Sequence, residues 1–309
     1  GQHAPFLESR RRKKGVNICR NDRQISLRKT TFFLSLGGGQ LAPVYPNIAD
    51  NAKILEVIAG KDENDTTSSY NKIGNYSIKS EIKEKFKIAY FEENLEHEKL
   101  DLEIKSKFLE TISTLKNCGH MVNSKKFELA DYLVPCYYVL TTAEASSNLA
   151  RYDGIKYAYR ASSMEDYFSQ ISETRSQAFG SEVKRRIMAG TYVLSENVED
   201  DFYKKAQKIR RLIFDETKKI FMDYDFIILP TTPTTAFSFG EKFRDATSMY
   251  LEDIFNVQAN LSGVPAISIP LGKHSNGSPF GIQIYADSFE EQKLYQFANY
   301  LNDKIISNL

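Results

Sequence analysis

The spacing of apolar residues predicts alternating strands and helices in the first part of the chain. Apolar residues recur at helical spacing in residues 47–60, and Gly60 favours the end of that helix. The short apolar run at residues 86–90 predicts a strand. An amphipathic helix is predicted from about Lys99 to Asn117, because its apolar side chains share one face. A strand followed by a helix is typical of an α/β protein.

Further along the chain, the pattern predicts two longer helical segments and a buried strand. Residues 131–150 and 181–222 have helical spacing, and the second segment carries clusters of basic residues on a solvated face. The fully apolar run Phe226–Leu229 ends at a proline, as a buried strand does. Two more strands and a last helix are predicted at residues 264–269, 280–285 and 290–301. The Asn-Gly pair at 276–277 marks the turn between those two strands.

Composition agrees with a folded chain of the α/β class. The sequence has 309 residues, of which 41% are hydrophobic and 26% are charged. These fractions are near the average of globular proteins, and the length suits one large domain or two small ones. Because no repeat and no separating linker is found, we expect one layered α/β domain over residues 40–309.

The first 39 residues differ from the rest in charge. Residues 1–30 contain nine Lys/Arg against two acidic residues, a net charge of +7, which leaves −6 for the remainder of a chain whose total is +1. A run such as Arg10–Lys14 can bind nucleic acid or serve as a targeting patch. No aromatic residue interleaves this run and no helical face organises it, so we expect residues 1–39 to be a disordered segment outside the fold.

The cysteine and histidine content argues against a metal site. Three cysteines and four histidines are scattered without CxxC or HxxxH spacing. Such sparse cysteines are typical of a reducing compartment. No apolar run approaches the length of about 20 residues that spans a bilayer, and no signal-peptide pattern is present. We therefore expect no metal and no membrane partner.

Several ordered segments resemble one known family. They include the Tyr137–Gly154 block with its Glu-Ala-Ser-Ser-Asn-Leu run, the Glu182–Ser195 block, the Pro-Thr-Thr-Pro segment within Asp225–Ala236, and the Gly-Val-Pro-Ala segment within Asn260–Pro270. Together they resemble the amidase-signature family and, within it, the A subunits of glutamine-dependent tRNA amidotransferases. The resemblance covers about Gln40 to Leu309 and implies the amidase-signature fold, incomplete in this chain, with a mixed β-sheet covered by helices on both faces.

The resemblance also implies a pocket for the amino-acid end of glutamine. Arg186 matches the arginine that holds the α-carboxylate, since a planar guanidinium pairs bidentately with a carboxylate. Asp253 matches the acid that holds the α-ammonium, and Tyr137 matches a tyrosine whose hydroxyl orients the ligand. From the residues alone, Arg185 and Arg186 could be surface charges, Asp253 a solvated helix acid and Tyr137 a core residue.

By the same resemblance, we expect this chain to be a subunit of a glutamine-dependent tRNA amidotransferase. Such an enzyme hydrolyses glutamine and uses the ammonia to convert Glu-tRNA(Gln) to Gln-tRNA(Gln). A partner B subunit would carry ATP and Mg²⁺ and most of the tRNA contacts, a small C subunit would join the two, and the present chain would need no cofactor. The complex would lie in the bacterial cytoplasm or in an organellar matrix or stroma. The family's nucleophilic serine, bridging serine and lysine have no match here, so we expect no catalytic residue in this chain and no activity when it is alone.

Three other functions stay open at this point. A stand-alone amidase of the same superfamily would act on a different amide, and a neutral amide needs no pair of charges like Arg186 and Asp253. A catalytically inactive remnant would only dock on a partner subunit. Nucleic-acid binding by residues 1–30 would show a strong salt dependence.

Overall fold

The computed structural model describes residues 47–64, 69–71, 76, 85–156, 159–162, 166–237 and 253–305, with the backbone of two strands at 16–19 and 44–45. Its strands are β1 (Val16–Cys19), β2 (Val44–Tyr45), β3 (Lys87–Phe91), β4 (Met121–Lys125), β5 (Phe226–Pro230), β6 (Ala266–Lys273) and β7 (Pro279–Tyr285). Its helices are α1 (Ile48–Ile58), α2 (Glu92–Glu96), α3 (Leu102–Asn117), α4 (Ala130–Leu149), α5 (Tyr167–Ala178), α6 (Ser181–Val193), α7 (Lys205–Asp223), α8 (Val257–Ser262) and α9 (Glu291–Tyr300). Two π-helical segments cover Asp200–Lys204 and Leu301–Ile305.

The described residues form two compact units. The first, hereafter the sheet unit, contains residues 47–134 and 212–305 and the strands, and the second, the helical unit, contains Pro135–Arg211. The chain enters the helical unit inside α4 and leaves it inside α7. A boundary inside a continuous helix has no linker composition, so the sequence pattern does not reveal it. One layered domain over residues 40–309 stays a prediction.

In the part of the chain that the structure describes, seven strands form one mixed sheet with the order β2-β1-β6-β7-β5-β3-β4. The three strands β5, β3 and β4 are parallel, with Ile88 of β3 opposite Val122 on one side and Phe226 on the other. The remaining neighbours are antiparallel, and β6 and β7 form the hairpin predicted around residues 276–277. Gly277 has φ +83°, a conformation that glycine adopts without strain. The mixed sheet is therefore confirmed.

One face of the sheet packs on α1, α3 and α9 through a continuous apolar core. Alternate residues of a strand point to opposite faces, and β5 directs Phe226 and Ile228 into this core. The ring of Phe226 stacks on Phe297 of α9 with 4.3 Å between the centroids. Among the fully buried helical residues of this core are Leu55, Ile104, Phe108, Leu294 and Phe297. Each such side chain contributes about 1.5–3 kcal/mol by leaving water.

The opposite face of the sheet is covered by α8 and by the end of α7 that lies in the sheet unit. Gln283 and Tyr285 of β7 both donate hydrogen bonds to the carbonyl of Phe255, at 2.6 and 2.8 Å, just before α8. Gln258 of α8 donates to Thr217 of α7 at 3.3 Å. All five residues of β5 are buried, as covering on both faces requires. This confirms the predicted α/β arrangement.

Most of the predicted elements are present, but the segment 181–222 is not one helix. It is divided into α6, a π-helical segment and α7. The carbonyl of Ser195 accepts the amide hydrogens of Val198 and Glu199, and Asn197 has φ +68°. A non-glycine residue in this left-handed region ends a regular helix, and asparagine tolerates it better than most residues do.

Six elements, β1, β2, α2, β4, α5 and α8, were not predicted. In β4 only Val122 is buried, because this strand lies at the edge of the sheet and has little apolar alternation. In α5 the buried residues are the polar Gln170 and Thr174, so its inward face carries no apolar stripe. Hydrophobic periodicity cannot detect a helix that buries hydrogen-bonded polar side chains.

The basic segment 1–39 lies outside the described residues except for the backbone of β1, which pairs with residues 266–268 of β6. The pattern of apolar residues predicts no strand there. The division of the chain at residue 39 stays a prediction.

Candidate functional site

The helical unit contains a close crossing of α4 and α6. A Cβ atom at Gly190 would overlap the carbonyl oxygen of Thr142 and would lie 2.7 Å from the Cβ of Ser146. The hydroxyl groups of Ser146 and Thr191 are 2.9 Å apart and form a hydrogen bond. The two helices therefore touch backbone to backbone at Gly190, and no larger residue fits there without a shift.

Arg186, the predicted carboxylate ligand, lies one turn before Gly190 on α6. Its side chain is 39% exposed, and its Nε donates a hydrogen bond to Oε1 of Glu182 at 3.2 Å. The other carboxylate oxygen of Glu182 accepts a hydrogen bond from Arg185. The guanidinium is thus accessible to solvent and is held by a carboxylate one turn away.

Tyr137, the predicted orienting tyrosine, lies on α4 at the start of the helical unit. It is partly buried, and its ring meets that of Tyr138 edge to face, with 5.4 Å between centroids and 87° between planes. The carbonyl of Tyr138 accepts the hydroxyl hydrogen of Thr142 at 2.7 Å. Thr142 is the residue whose carbonyl oxygen lies against Gly190 of α6. Tyr137 and Arg186 therefore belong to the two helices that cross at Gly190.

Asp253, the predicted ammonium ligand, belongs to the sheet unit. It is partly buried and begins the turn that leads into α8, where its carbonyl accepts the amide hydrogen of Asn256 at 2.8 Å. The same turn is fixed to β7 through the two hydrogen bonds on the Phe255 carbonyl. Asp253 therefore lies on a well-anchored turn, and its contact with a ligand stays a prediction.

Cys136 precedes Tyr137 and is a neutral thiol. Its Sγ donates a hydrogen bond to the carbonyl of Ala206 at 3.2 Å, and burial raises the pKa of Cys136 to about 11. A thiolate is the reactive form of cysteine, so this residue packs and does not act as a nucleophile.

Arg175, which the sequence analysis did not assign, holds the end of α4. Its Nη1 donates to the carbonyls of Leu149 and Tyr152 at 2.7 and 3.2 Å, and its guanidinium lies 5.0 Å from the ring of Phe179. Leu149 is the last residue of α4, and a charged donor to a carbonyl at a helix C-terminus stabilises the helix end. An arginine followed by an aromatic residue four positions later was the signal available in the sequence.

Gly154 and Thr174 join the loop after α4 to α5. Gly154 has φ +83°, and a Cβ there would lie 2.7 Å from Cγ2 of Thr174. The hydroxyl of Thr174 accepts the amide hydrogen of Ala161 at 3.1 Å, and Gln170 donates to the Ala161 carbonyl at 2.9 Å. The buried polar residues of α5 thus fix the loop, and Gly154 is required by both its backbone angle and its close neighbour.

A Ser-His-Asp grouping in the sheet unit resembles a hydrolase triad but has the wrong hydrogen bonds. Nε2 of His274 lies 3.3 Å from Asp101, while Nδ1 accepts the amide hydrogen of Asn276 at 3.1 Å. The hydroxyl of Ser275 donates to Glu103. Oγ of Ser275 also lies 3.5 Å from Nδ1 of His274, but the lone pair of Nδ1 already accepts the shorter bond from Asn276. The group therefore connects the β6–β7 turn to the start of α3 and does not activate a nucleophile.

No group of three or more His, Cys, Asp or Glu side chains among the described residues is arranged to hold a metal ion. In the same part of the chain, no helix combines the length and apolar character that a membrane span requires.

The fold and the arrangement of these segments define a class of protein. The sequence model of the Amidase family matches residues 35–295 of this chain. The chain therefore belongs to the amidase family, as its resemblance predicts.

Within that family, the similarity is to the A subunits of one enzyme, glutamyl-tRNA(Gln) amidotransferase. The chain is 44% identical over 262 residues to the A subunit from Brevibacillus brevis and 43% identical over 261 residues to that from Halothermothrix orenii. Each alignment covers 84% of this chain but only 53% and 54% of those proteins. The chain thus spans about half the length of these relatives.

Solved structures agree with this assignment of fold. The crystal structure of the A subunit of glutamyl-tRNA(Gln) amidotransferase from Thermotoga maritima matches with a TM-score of 0.71 and 33% identity, over 94% of this chain and 58% of that chain. The structure of 6-aminohexanoate cyclic dimer hydrolase matches with a TM-score of 0.70 over 93% of this chain and 60% of that chain, at 19% identity. The second likeness concerns the fold alone.

Proposed function

We propose that this chain forms the glutamine-recognition part of an amidotransferase A subunit, in which glutamine is hydrolysed to glutamate and ammonia. The observation that carries the proposal is the Arg186 guanidinium, accessible beside the α4–α6 crossing, in a chain 44% identical to one of these proteins. An accessible guanidinium is suited to bind a carboxylate bidentately. The ammonia would convert Glu-tRNA(Gln) to Gln-tRNA(Gln).

Each predicted site residue has a distinct part in this proposal. Arg186 binds the α-carboxylate of glutamine, Asp253 binds the α-ammonium, and the hydroxyl of Tyr137 orients the ligand. These roles concern the zwitterionic end of glutamine and leave its side-chain amide for chemistry elsewhere. Since the sequence has no match for the family's serines and lysine, we propose that this chain supplies no nucleophile and does not hydrolyse glutamine alone.

The proposed partners follow from the same family. A B subunit would bind ATP and Mg²⁺ and most of the Glu-tRNA(Gln), and a C subunit would join the A and B subunits. The relatives are bacterial proteins, which supports the cytoplasm as the location, with an organellar matrix or stroma as the alternative.

The experiment that tests the proposal measures glutamine binding by titration calorimetry. The purified chain, alone and co-purified with its partner subunits, is compared with Arg186→Ala and Arg186→Lys. We expect Arg186→Ala to weaken binding by about 10- to 100-fold, since a charge-assisted bidentate pair is lost. Arg186→Lys restores the charge but not the fork of donors, so it should recover only part of the affinity.

The matched control is Arg185→Ala, which removes a neighbouring guanidinium that is 55% exposed. It should leave the affinity within about threefold, because exposed charges are well screened. Failure of the wild-type chain to bind glutamine in either form, or unchanged affinity in Arg186→Ala, would overturn the proposal. Binding of a neutral amide with no need for Arg186 would favour a stand-alone amidase.

A further inference from the structure

We propose that Glu182 is a positioning residue that sets how Arg186 binds a carboxylate and thereby makes the site selective for ligands with a free α-carboxylate. This inference rests on the proposed function of Arg186. It adds a residue to which the resemblance gives no part.

The geometry of α6 brings the two side chains together. Glu182 and Arg186 are four residues apart, so they lie on one face of the helix, with the acid nearer its start. This order of an acidic and a basic residue is the favourable one, and helical side chains lean toward the N-terminus. The hydrogen bond from Nε of Arg186 to Oε1 of Glu182 is 3.2 Å long.

The atom that Glu182 contacts decides which edge of the guanidinium remains for a ligand. Arginine can hold a carboxylate side-on, through Nε and one Nη, or end-on, through both Nη groups. The bond to Glu182 occupies Nε. A ligand carboxylate must therefore approach Arg186 end-on, with two parallel N–H···O bonds. A guanidinium fixed in one orientation also loses less entropy when it binds.

The charges around Glu182 permit this arrangement. Its carboxylate is shared by Arg185 and Arg186, one oxygen to each. Glu182 and Arg186 are both more than a third exposed, so solvent screens the attraction between them and Arg186 can still attract an anionic ligand. Glu182 therefore orients Arg186 without cancelling the charge that the ligand needs.

Selectivity follows from the same geometry. Two Nη groups aimed outward match the two oxygens of a carboxylate, whereas a primary carboxamide offers one acceptor and places N–H donors against the other Nη. A buried or half-buried donor that faces another donor loses its hydrogen bond and raises the free energy of the complex. When Glu182 is absent, the guanidinium can rotate and avoid this mismatch.

The test compares the dissociation constants of glutamine and glutaminamide, in which the α-carboxylate is an amide, for wild-type protein, Glu182→Ala and Glu182→Gln. We expect Glu182→Ala to weaken glutamine binding about tenfold and to change glutaminamide binding by less than about threefold. The ratio of the two dissociation constants, which measures the preference for a free carboxylate, should therefore fall in Glu182→Ala. Glu182→Gln keeps an acceptor at the same reach and should recover part of the preference.

Two controls separate orientation from a loss of structure. Glu173→Ala removes an equivalent i,i+4 contact on α5, that between Glu173 and Gln177, and should bind both ligands as the wild type does. Glu182→Ala made together with Arg186→Ala should weaken binding no further than Arg186→Ala does, because Glu182 acts only through Arg186. If Glu182→Ala lowers the melting temperature by more than a few degrees, Glu182→Gln becomes the deciding variant.

The outcomes distinguish the two proposals. Wild-type affinity in Arg186→Ala would overturn the proposed function itself. A large loss in Arg186→Ala with unchanged ligand preference in both Glu182 variants would overturn the role of Glu182 alone. Equal losses for glutamine and glutaminamide in the Glu182 variants would also overturn it, because a purely structural residue affects both ligands alike.

Discussion

At the scale of single residues, the absence of a side chain at Gly190 determines how closely α4 and α6 approach. The position is buried, and its neighbours are the Thr142 carbonyl and the Ser146 side chain. Backbone cannot move aside as a flexible side chain can. Because Arg186 is one turn away on the same helix, the contact at Gly190 also fixes where that guanidinium emerges.

We expect Gly190→Ala to lower the free energy of unfolding by about 1–3 kcal/mol, the usual cost of overpacking. Helix propensity alone predicts the opposite, a gain of about 0.8–1.0 kcal/mol. Urea denaturation decides between the two signs. Gly180→Ala is the control, since a Cβ there has no atom within 4 Å, and it should change the free energy of unfolding by less than about 1 kcal/mol. An unchanged or stabilised Gly190→Ala would contradict the close crossing.

At the scale of elements, His120 joins two strands to the last helix. Its Nδ1 accepts the amide hydrogen of Phe86, just before β3, at 3.1 Å, and its Nε2 is 3.2 Å from the hydroxyl of Tyr300 on α9. Since Nδ1 accepts, the proton is on Nε2, which donates to Tyr300. Burial, with the charge of Lys85, lowers the pKa of His120, and burial raises the pKa of Tyr300 to about 12. The His120 imidazole and the Tyr300 hydroxyl are therefore both neutral near pH 7.

We expect the free energy of unfolding to fall as the pH drops below about 6.5, the ordinary pKa of histidine. The pKa of His120 is lower in the folded chain than in the unfolded chain. Just below pH 6.5 the unfolded chain therefore binds a proton at His120 that the folded chain does not, and this favours unfolding. Above that pH neither state is charged and the contribution is complete. Urea denaturation between pH 5 and 8 measures this, and His120→Gln should flatten the slope. If the free energy of unfolding of His120→Gln changes with pH as steeply as that of the wild type, the pH dependence comes from other groups.

At the scale of the whole molecule, the two units differ in how they are held together. The sheet unit has large aromatic and aliphatic side chains in one continuous core. Among the described residues of the helical unit, the buried apolar side chains are mostly small: Cys136, Ala143, Ala145, Leu149, Ala161, Val193 and Ala206. Its order depends more on hydrogen bonds such as those of Arg175 and Thr174.

We therefore expect hydrogen exchange to be slowest at the amides of β5 and β7 and faster in α5 and α6. Local opening costs less free energy where less apolar surface is buried. Exchange followed by mass spectrometry on the intact chain measures the difference directly. Uniform protection across both units would mean that they open together, and it would contradict this account.

Burial determines which elements of this chain can be predicted from its sequence. The run at 226–229 and the stripe of α3 are predicted correctly, because residues buried on one or both faces need an apolar pattern that local sequence displays. The strand β4 and the helix α5 are missed, because an edge strand and a helix with buried polar residues do not need one. The candidate residues Tyr137, Arg186 and Asp253 came from resemblance to a family, and their spacing alone would not have selected them.

The order of amino acids is enough to establish the α/β class, most helix and strand positions, the hairpin at Gly277 and membership of the amidase family, since these depend on periodicity, turn residues and ordered motifs. The order of the strands, the boundaries inside α4 and α7, and the crossing at Gly190 emerge only in the folded chain, because they depend on contacts between residues far apart in sequence. The Nε bond between Arg186 and Glu182 lies between these cases. Helical spacing permits that pair, but side-chain geometry alone decides which nitrogen Glu182 holds and which edge of the guanidinium faces a ligand.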